Sequence, residues 1–430
     1  MVTKEIITEF AEEAAFLWHL RSRAVSAANF SLDDLIKLDE RLEAHIDGLR
    51  VAGEAGWDIC EETLGGEVPE TYFAPSILAL ESGFSARIKA VLDAIGEDRD
   101  KARALISALG WIPLEQAEPH IKNLLASESP FHRYVGIAAS AIHRHDPGPH
   151  LNNSVNDPDP LLMARGLRAY GELGREIVLK YFSLQDILSD EDDEIRFATA
   201  WSAALAGNTE AVEVLKNFVV PDSPYKEKAL NTALRRMDQS AALSFQKKLA
   251  QSPETFRLAV TGAGIIGDPV LVPLLIEQMK IPALARVAGE AFTMISGADI
   301  EQEELKGKRP EGFNAGPNDD PRDSYVDPDT DDDLPWPNVE AIAQWWDKNK
   351  GTFPAGTRHL MGKTISSDQL WQVLGIGLQR QRSAAALELA ITEPGHPLFE
   401  VRAPAGRQVE ALRLKADGKK DNSVKEVGTP

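Results

Sequence analysis

The hydrophobic pattern of the chain is helical, and it repeats along the middle of the sequence. Six segments each place an arginine before a stretch rich in alanine, glycine and larger apolar residues. Their arginines are Arg103, Arg133, Arg165, Arg196, Arg257 and Arg286, at intervals of 30, 32, 31, 61 and 29 residues. The interval of 61 residues spans two periods, and a weaker copy near Lys226 fills it. Self-similarity at a fixed period of this length predicts tandem repeats.

Each repeat predicts two helices. Asp159 and Pro160 favour the start of a helix, apolar residues follow at helical spacing, and Gly174 favours its end. A second apolar stretch follows at 175–190. One helical pair cannot bury both of its apolar faces, so the pairs should stack on one another. The pattern therefore predicts an all-α solenoid of about seven helical hairpins over residues 97–300, wound as a right-handed superhelix.

The flanking regions are also predicted to be helical, but they do not show the repeat. Residues 1–96 are expected to form an N-terminal helical region, in which Ser31 and Asp34 are spaced for a capping box. Residues 337–414 are expected to form a small C-terminal helical cap, with Asn338 at the start of its first helix. Residues 415–430 are expected to be a disordered tail.

Residues 301–336 differ sharply in composition, with 12 acidic against 4 basic side chains. This segment is expected to be an acidic linker. Asp327, Asp329 and Asp331 have the spacing that opens a calcium loop, but Asp332 stands where such a loop needs glycine. The composition favours a solvated linker over a calcium site.

Composition and charge exclude several classes of protein and of binding partner. Of 430 residues, 43% are hydrophobic, which supports a folded core and excludes global disorder. The net charge of −21 opposes binding to nucleic acid or to an anionic membrane, so neither partner is expected. The single cysteine, Cys60, excludes an intramolecular disulfide and a multi-cysteine zinc site. With neither a cationic leader nor a long uncharged apolar stretch, a cytoplasmic chain is expected.

The repeated arginines are the first candidate binding residues. If the repeats stack in register, Arg133, Arg165, Arg196, Arg257 and Arg286 form a row. Paired with acidic side chains, the row would be an internal ladder that ties neighbouring repeats together. Left free, it would be a basic strip for an acidic partner. Arginine suits both roles, because its planar fork binds a carboxylate at two points.

Trp345 and Trp346 are the second candidate. Adjacent residues on a helix point about 100° apart, so the two indoles cannot both enter one core face. One of them is expected to contact either the solenoid or a partner protein. No motif for nucleotide, metal or acyl chemistry is present, so no catalytic residue, metal or cofactor is expected.

The repeat resembles a known family of structures. Its Asp/Pro start, its early arginine and its alanine-rich stretch ending in Leu-Gly resemble a HEAT-like repeat, of the short variety also seen in phycobilisome lyase-related proteins. AFLWHLRSRAV from Ala15, LDERLEAHIDGLRVAGEAGW from Leu38 and the C-terminal WW…LELA region resemble an uncharacterised proteobacterial family. Members of that family are often encoded beside type VI secretion genes.

These features predict a non-catalytic protein-interaction module. The resemblance implies an accessory role in a type VI secretion locus, as an adaptor or chaperone for cargo or as an immunity protein. The net charge favours a basic effector or toxin as the partner. The alternatives are a HEAT-like enzyme of the lyase or DNA-glycosylase kind and a purely structural scaffold. The oligomeric state is left open by the sequence.

Overall fold

The structure, a computed structural model, describes residues 3–177, 183–313, 315–316 and 329–426, with the backbone alone for 418–426. The described part of the chain is predominantly helical, which confirms the all-α prediction. The helices of its N-terminal half are α1 (Lys4–Ala24), α2 (Leu32–Ala52), α3 (Glu54–Thr63), α4 (Phe73–Ser82), α5 (Ser85–Ile95), α6 (Arg99–Trp111), α7 (Leu114–Leu125), α8 (Pro130–Ile142), α9 (Pro149–Ser154), α10 (Pro160–Glu172), α11 (Leu184–Leu188) and α12 (Asp193–Leu205).

The C-terminal half continues the same pattern and adds one short antiparallel strand pair. Its helices are α13 (Glu210–Asn217), α14 (Lys226–Arg236), α15 (Gln239–Leu249), α16 (Pro253–Ile266), α17 (Val272–Gln278), α18 (Pro282–Ser296), α19 (Val339–Asn349), α20 (Ser367–Ile376), α21 (Gln379–Thr392) and α22 (Ala405–Glu426). The strands are β1 (His359–Leu360) and β2 (Lys363–Thr364), and three 3₁₀ turns lie at Pro69–Tyr72, Pro269–Leu271 and Lys350–Thr352.

The helix boundaries follow the local sequence signals. The Asp159 side chain accepts a hydrogen bond from the Leu162 backbone N–H at 2.9 Å, which caps the start of α10. Ser31 and Asp34 form the expected capping box at the start of α2. The Asn338 side chain caps α19. These starts were predicted because capping depends on residues that are close together in sequence.

The chain forms two compact units. The first comprises the described residues of Met1–Ser26, Phe30–Ala206 and Gly395–Pro430, and the second comprises those of Ala27–Asn29 and Gly207–Pro394. The boundary at Ala206 falls inside the predicted 97–300 solenoid, between the two helices of its fourth repeat. The residues of the expected 337–414 cap are also divided between the units. The compact units therefore do not coincide with the domains expected from the sequence.

In the first unit, the leading helices of successive repeats pack side by side: α6 on α8, α8 on α10 and α10 on α12. Their close approach depends on small residues. A Cβ on Gly171 of α10 would lie 2.6 Å from the Ser202 hydroxyl of α12. Arg99, at the start of α6, contacts Glu194, at the start of α12, at 2.7 Å. Since α6 and α12 are the outer members of this row of four, the N-terminal ends of the row converge, and the face between them is concave.

In the second unit, α14, α16 and α18 also pack in sequence, and each is preceded by a shorter helix that contacts it. A Cβ on Gly264 of α16 would lie 2.8 Å from the Ala291 Cα of α18. Among the described residues, α18 has no partner helix directly after it, whereas the sequence suggested about seven complete pairs. Helices α20 and α21 pack on each other, and α21 also contacts α14.

Two extended segments cross the C-terminal ends of the leading helices. The 355–365 segment runs over the second unit, where the Met361 N–H donates to the Met294 carbonyl of α18 at 2.8 Å. The Arg358 guanidinium in that segment donates to the Leu234 carbonyl at the end of α14 at 2.7 Å. The 396–407 segment runs over the first unit, where the Leu398 N–H donates to the Glu172 carbonyl at 3.0 Å. Both segments supply donors to carbonyls that a helix end leaves without partners.

The described part of the acidic 301–336 segment is packed against the second unit. Asp329 accepts hydrogen bonds from Arg286, and Asp331 accepts them from Arg257. The Gly307 N–H donates to the Trp336 carbonyl at 2.6 Å. Asp329 and Asp331 are thus held by ion pairs with α18 and α16, whereas residues 301–304 of the same segment are exposed. Asp327 and the rest of 317–328 lie outside the described residues.

The C-terminal end differs from the expected tail. Helix α22 extends to Glu426 and so covers most of the 415–430 segment that the composition assigned to disorder. Residues 427–430 lie outside the described residues.

Candidate functional site

The five candidate arginines are each paired with a carboxylate of the chain. The pairs are Arg133–Asp157 at 2.7 Å, Arg165–Glu172 at 2.7 Å, Arg257–Asp331 at 2.5 Å, Arg286–Asp329 at 2.6 Å and Arg196–Asp193. Arg133, Arg165 and Arg196 belong to the first unit, and the other two belong to the second. Only part of the predicted ladder exists: Arg133 reaches the loop before the next leading helix, whereas Arg165 pairs within its own helix.

Arg165 belongs to a charge cluster at the concave face of the first unit. Glu172 of α10 is 6% exposed and accepts hydrogen bonds from Arg165 at 2.7 Å and from Arg168 at 2.9 Å. Burial opposes the charge of this carboxylate, but Arg165, Arg168 and Arg144 outweigh burial and lower its pKa to about 2. Glu172 is therefore ionised at neutral pH. The Arg165 side chain is nine-tenths buried, and its Nη1 has no hydrogen-bond partner among the described residues.

Arg402 and Arg103 add positive charge to this cluster. Burial is the largest cause of the lowered pKa of Arg402, and the charges of Arg168 and Arg103 lower it further, whereas Glu400 and Glu172 oppose the change. Arg402 is nevertheless exposed to water. A side chain that water reaches, but that protein largely surrounds, lies in a concavity. Arg103, on α6, is also exposed.

The guanidiniums of Arg103 and Arg402 make no ion pair and no hydrogen bond within the part of the chain that the structure describes. Arg168 donates one hydrogen bond to Glu172, and its side chain is 47% exposed. We refer to Arg103, Arg168 and Arg402 as the arginine cluster. Arg103 and Arg402 have all of their guanidinium donors available, and Arg168 has engaged only its Nε, so the cluster can bind a multiply charged anion.

The position of Arg402 is fixed by its backbone. The Arg402 carbonyl accepts a hydrogen bond from Arg21 Nη1 at 3.1 Å, and the Arg402 N–H donates to Glu400 at 3.0 Å. Arg21 in turn is buried against Asp39, at 2.5 Å. Beyond Arg402, the Ala405 N–H donates to Asp39 at 2.7 Å. The 396–407 segment is thus held on the first unit on both sides of the arginine.

The carboxylates nearest to the cluster are already engaged. Glu400 pairs with Arg144 at 3.0 Å, and Glu172 is shared by two arginines. Glu70, which lies close enough to Arg103 for the charge of that arginine to lower its pKa, is bonded to His19 at 2.9 Å. The hydrogen bond from His19 is the largest cause of that lowered pKa. The excess of arginine over glutamate at this face is therefore local, in a chain whose net charge is −21.

Trp345 and Trp346 differ in burial, as expected for adjacent residues on a helix. Trp346 is buried and lies 5.2 Å from Phe353, centroid to centroid. Trp345 is half-buried and donates through its indole N–H to Glu303 at 2.6 Å. Its ring also packs edge-on against Phe292 of α18, at 5.6 Å. Both indoles therefore contact the second unit of the chain itself.

Other candidate chemistry has structural explanations. His143 faces the Leu109 carbonyl at 2.7 Å and Arg407 at 3.1 Å, and burial lowers its pKa to about 4. Burial raises the pKa of the Cys60 thiol to about 12. Across the described ranges, no group of three or more His, Cys, Asp or Glu side chains is placed to hold a metal ion.

Within the described residues, no helix combines the length and the apolar character needed to cross a bilayer.

Sequence reasoning found only part of the arginine cluster. Arg103 occupies the repeated position before the alanine-rich stretch, but the predicted row of binding arginines begins at Arg133. Arg168 lies one turn after Arg165 on α10. Arg402 carries no local signal, since its place depends on a segment that returns from the other end of the sequence. No protein-family model matches the chain, and no curated protein matches it.

Proposed function

We propose that the chain is a non-catalytic protein-interaction module, built as a HEAT-like solenoid, with its binding site on the concave face of the first unit. The observation that carries the proposal is the arginine cluster, in which the exposed guanidiniums of Arg103 and Arg402 make no ion pair and no hydrogen bond with a described residue. Unused donors on a concave surface suit recognition of another molecule better than internal support.

The biological setting of the proposal comes from the sequence resemblance. An accessory role in a type VI secretion locus would make the chain an adaptor or chaperone for cargo, or an immunity protein. The net charge of −21 would steer a partner that is basic overall, such as an effector or toxin, towards the chain. The arginine cluster would then govern docking at short range.

The test is direct binding between the purified chain and the product of each gene that flanks its own. We expect one of these products to form a stable complex in size-exclusion chromatography and calorimetry. Failure of every neighbouring product to bind would contradict the proposed setting. Self-association alone would favour the scaffold alternative.

Retention on duplex DNA tests the enzyme alternative of the glycosylase kind. A glycosylase would bind duplex DNA tightly, with an affinity that falls steeply as salt increases. We expect weak retention, because the net charge opposes a phosphate backbone outside the local cluster.

A further inference from the structure

The charges of the arginine cluster favour the binding of an anion. The segment that carries Arg402 is bonded to the end of α10, where the Leu398 N–H donates to the Glu172 carbonyl at 3.0 Å, and to the end of α6, where Arg407 donates to the Gly110 carbonyl. Arg402 therefore lies near the helices that bear Arg168 and Arg103, and the charges of both act on it. The charges of Glu400 and Glu172 also act on Arg402, in opposition to those of the arginines. Their short contacts are made with Arg165, Arg168 and Arg144, so the guanidinium donors of Arg103 and Arg402 are left for a further anion.

Two members of the cluster are partly positioned before a ligand binds. The 396–407 segment is fixed on both sides of Arg402, by Arg21 at the Arg402 carbonyl and by Asp39 at the Ala405 N–H. Arg168 is oriented by its hydrogen bond to Glu172. The Arg402 backbone and the Arg168 side chain need little further ordering when a ligand binds, which lowers the entropic cost at these two points.

We infer that Arg103, Arg168 and Arg402 bind an acidic polypeptide segment, whose aspartate or glutamate carboxylates bridge the exposed guanidiniums. This inference rests on the proposed function and names the chemistry of the partner at that site. Carboxylates match the planar guanidinium fork at two points. A duplex nucleic acid fits less well, because its phosphates continue along a rigid rod beyond the cluster and would meet the net negative charge of the chain, whereas a polypeptide can place one or two carboxylates at the guanidiniums.

The experiment measures binding of a fluorescent poly-glutamate peptide to the full chain at low and at physiological salt. We expect saturable binding that weakens with salt. The double variant Arg103→Gln/Arg402→Gln should raise the Kd at least about tenfold, since two charge-assisted contacts are lost. Arg402→Lys, which keeps the charge but not the fork, should have a smaller effect than Arg402→Gln.

The matched control removes two positive charges elsewhere. Lys247 and Lys248 are exposed on α15 of the second unit and make no ion pair with a described residue. Lys247→Gln/Lys248→Gln should leave the Kd within about twofold of the wild-type value, because only the long-range field changes. Thermal melting of both double variants should match the wild type, because the side chains they remove are exposed and unpaired.

Three results would overturn the inference: equal peptide binding by the wild type and the Arg103→Gln/Arg402→Gln variant, tighter binding of a duplex oligonucleotide than of the peptide, or full displacement of the peptide by inorganic phosphate at equal charge concentration. The last result would indicate a small-anion site. A neighbouring-gene product that binds the wild type and this variant equally would leave the proposed function standing and would still contradict the acidic-segment inference.

Discussion

Glu172 is the residue on which the charge balance of the concave face depends. It receives hydrogen bonds from Arg165 and Arg168, and its carbonyl accepts the Leu398 N–H of the 396–407 segment. Arg165 is nine-tenths buried, so it cannot recover hydration if its partner is lost. A buried ion pair is strongly destabilising to break from one side, because the remaining charge stays buried without compensation.

Glu172→Gln should therefore lower the free energy of unfolding by about 3 kcal/mol at neutral pH. The folded-state pKa of about 2 lies below the ordinary value of 4.5, so this contribution is present in full above pH 4.5 and is lost as the pH falls towards 2. The difference in the free energy of unfolding between the wild type and Glu172→Gln should therefore shrink between pH 4.5 and pH 2. Chemical denaturation at a series of pH values measures this difference.

The control for this substitution is Glu194→Gln, which removes a partly exposed partner of Arg99. An exposed pair contributes less than about 1 kcal/mol, so the control should change stability little. A difference for Glu172→Gln that stays constant down to pH 2 would contradict the assignment of the shifted pKa to this carboxylate.

Gly267 illustrates a different constraint, imposed by the backbone. It ends α16 with φ +71, and its carbonyl accepts the His359 N–H at 2.8 Å. A Cβ at this position would overlap the His359 carbonyl oxygen of the 355–365 segment. Gly83 ends α4 with φ +65, but a Cβ there would meet nothing within 4 Å.

Gly83→Ala should thus cost only about 1 kcal/mol, the strain of a left-handed conformation. Gly267→Ala should cost at least about 3 kcal/mol, because the crossing segment must also move. Urea denaturation of the two variants gives the comparison. Equal losses would mean that the 355–365 segment is not held against α16.

The crossing segments and the acidic segment show how connecting elements become part of the packed structure. The leading helices leave carbonyls at their C-terminal ends, and the 355–365 and 396–407 segments supply N–H and guanidinium donors to them. On the second unit, Arg286 is 5% exposed on its side chain, stacks over Trp336 at 4.6 Å and needs Asp329 as its counter-charge. A segment predicted to be a linker therefore completes the charge balance of two leading helices.

Asp329→Asn/Asp331→Asn should lower the free energy of unfolding by about 3 kcal/mol, since Arg286 would keep a buried charge without a carboxylate. The adjacent pair Asp332→Asn/Asp333→Asn removes the same formal charge from exposed side chains and should change stability by less than about 0.5 kcal/mol. Thermal melting of both double variants measures the two losses of stability. Equal effects would contradict the docking of this segment.

The two compact units are a property of the whole chain rather than of any element. The first unit draws its residues from both ends of the sequence, and Ala405 lies in its core at 1% exposure. Truncation after Pro394 should therefore destabilise the first unit rather than the second, although the deletion is far in sequence from α6, α8 and α10. Loss of Arg407, which donates to the Gly110 carbonyl at the end of α6, removes one of the contacts involved.

Calorimetry tests this expectation, because units with separate cores should unfold in separate transitions. The Asp329→Asn/Asp331→Asn variant should lower the midpoint temperature of one transition, which is then assigned to the second unit. Truncation should lower the midpoint temperature of the other transition. A truncated chain in which the transition of the second unit falls instead would contradict the assignment of residues 395–430 to the first unit.

Much of this protein was determined by its sequence alone. The helical class, the capped starts of α2, α10 and α19, and the different directions of Trp345 and Trp346 follow from residues within a few turns of each other. Periodicity, capping and side-chain direction are local effects, so a single sequence is enough to predict them.

Only the tertiary structure decided the arginine cluster, the docking of Asp329 and Asp331, and the paths of the two crossing segments. Each brings together residues far apart in sequence, as Arg402 is brought near Arg103. No local pattern specifies which carboxylate a given guanidinium will meet. That choice depends on burial, on the carbonyls left open at helix ends, and on which segment returns to cover them.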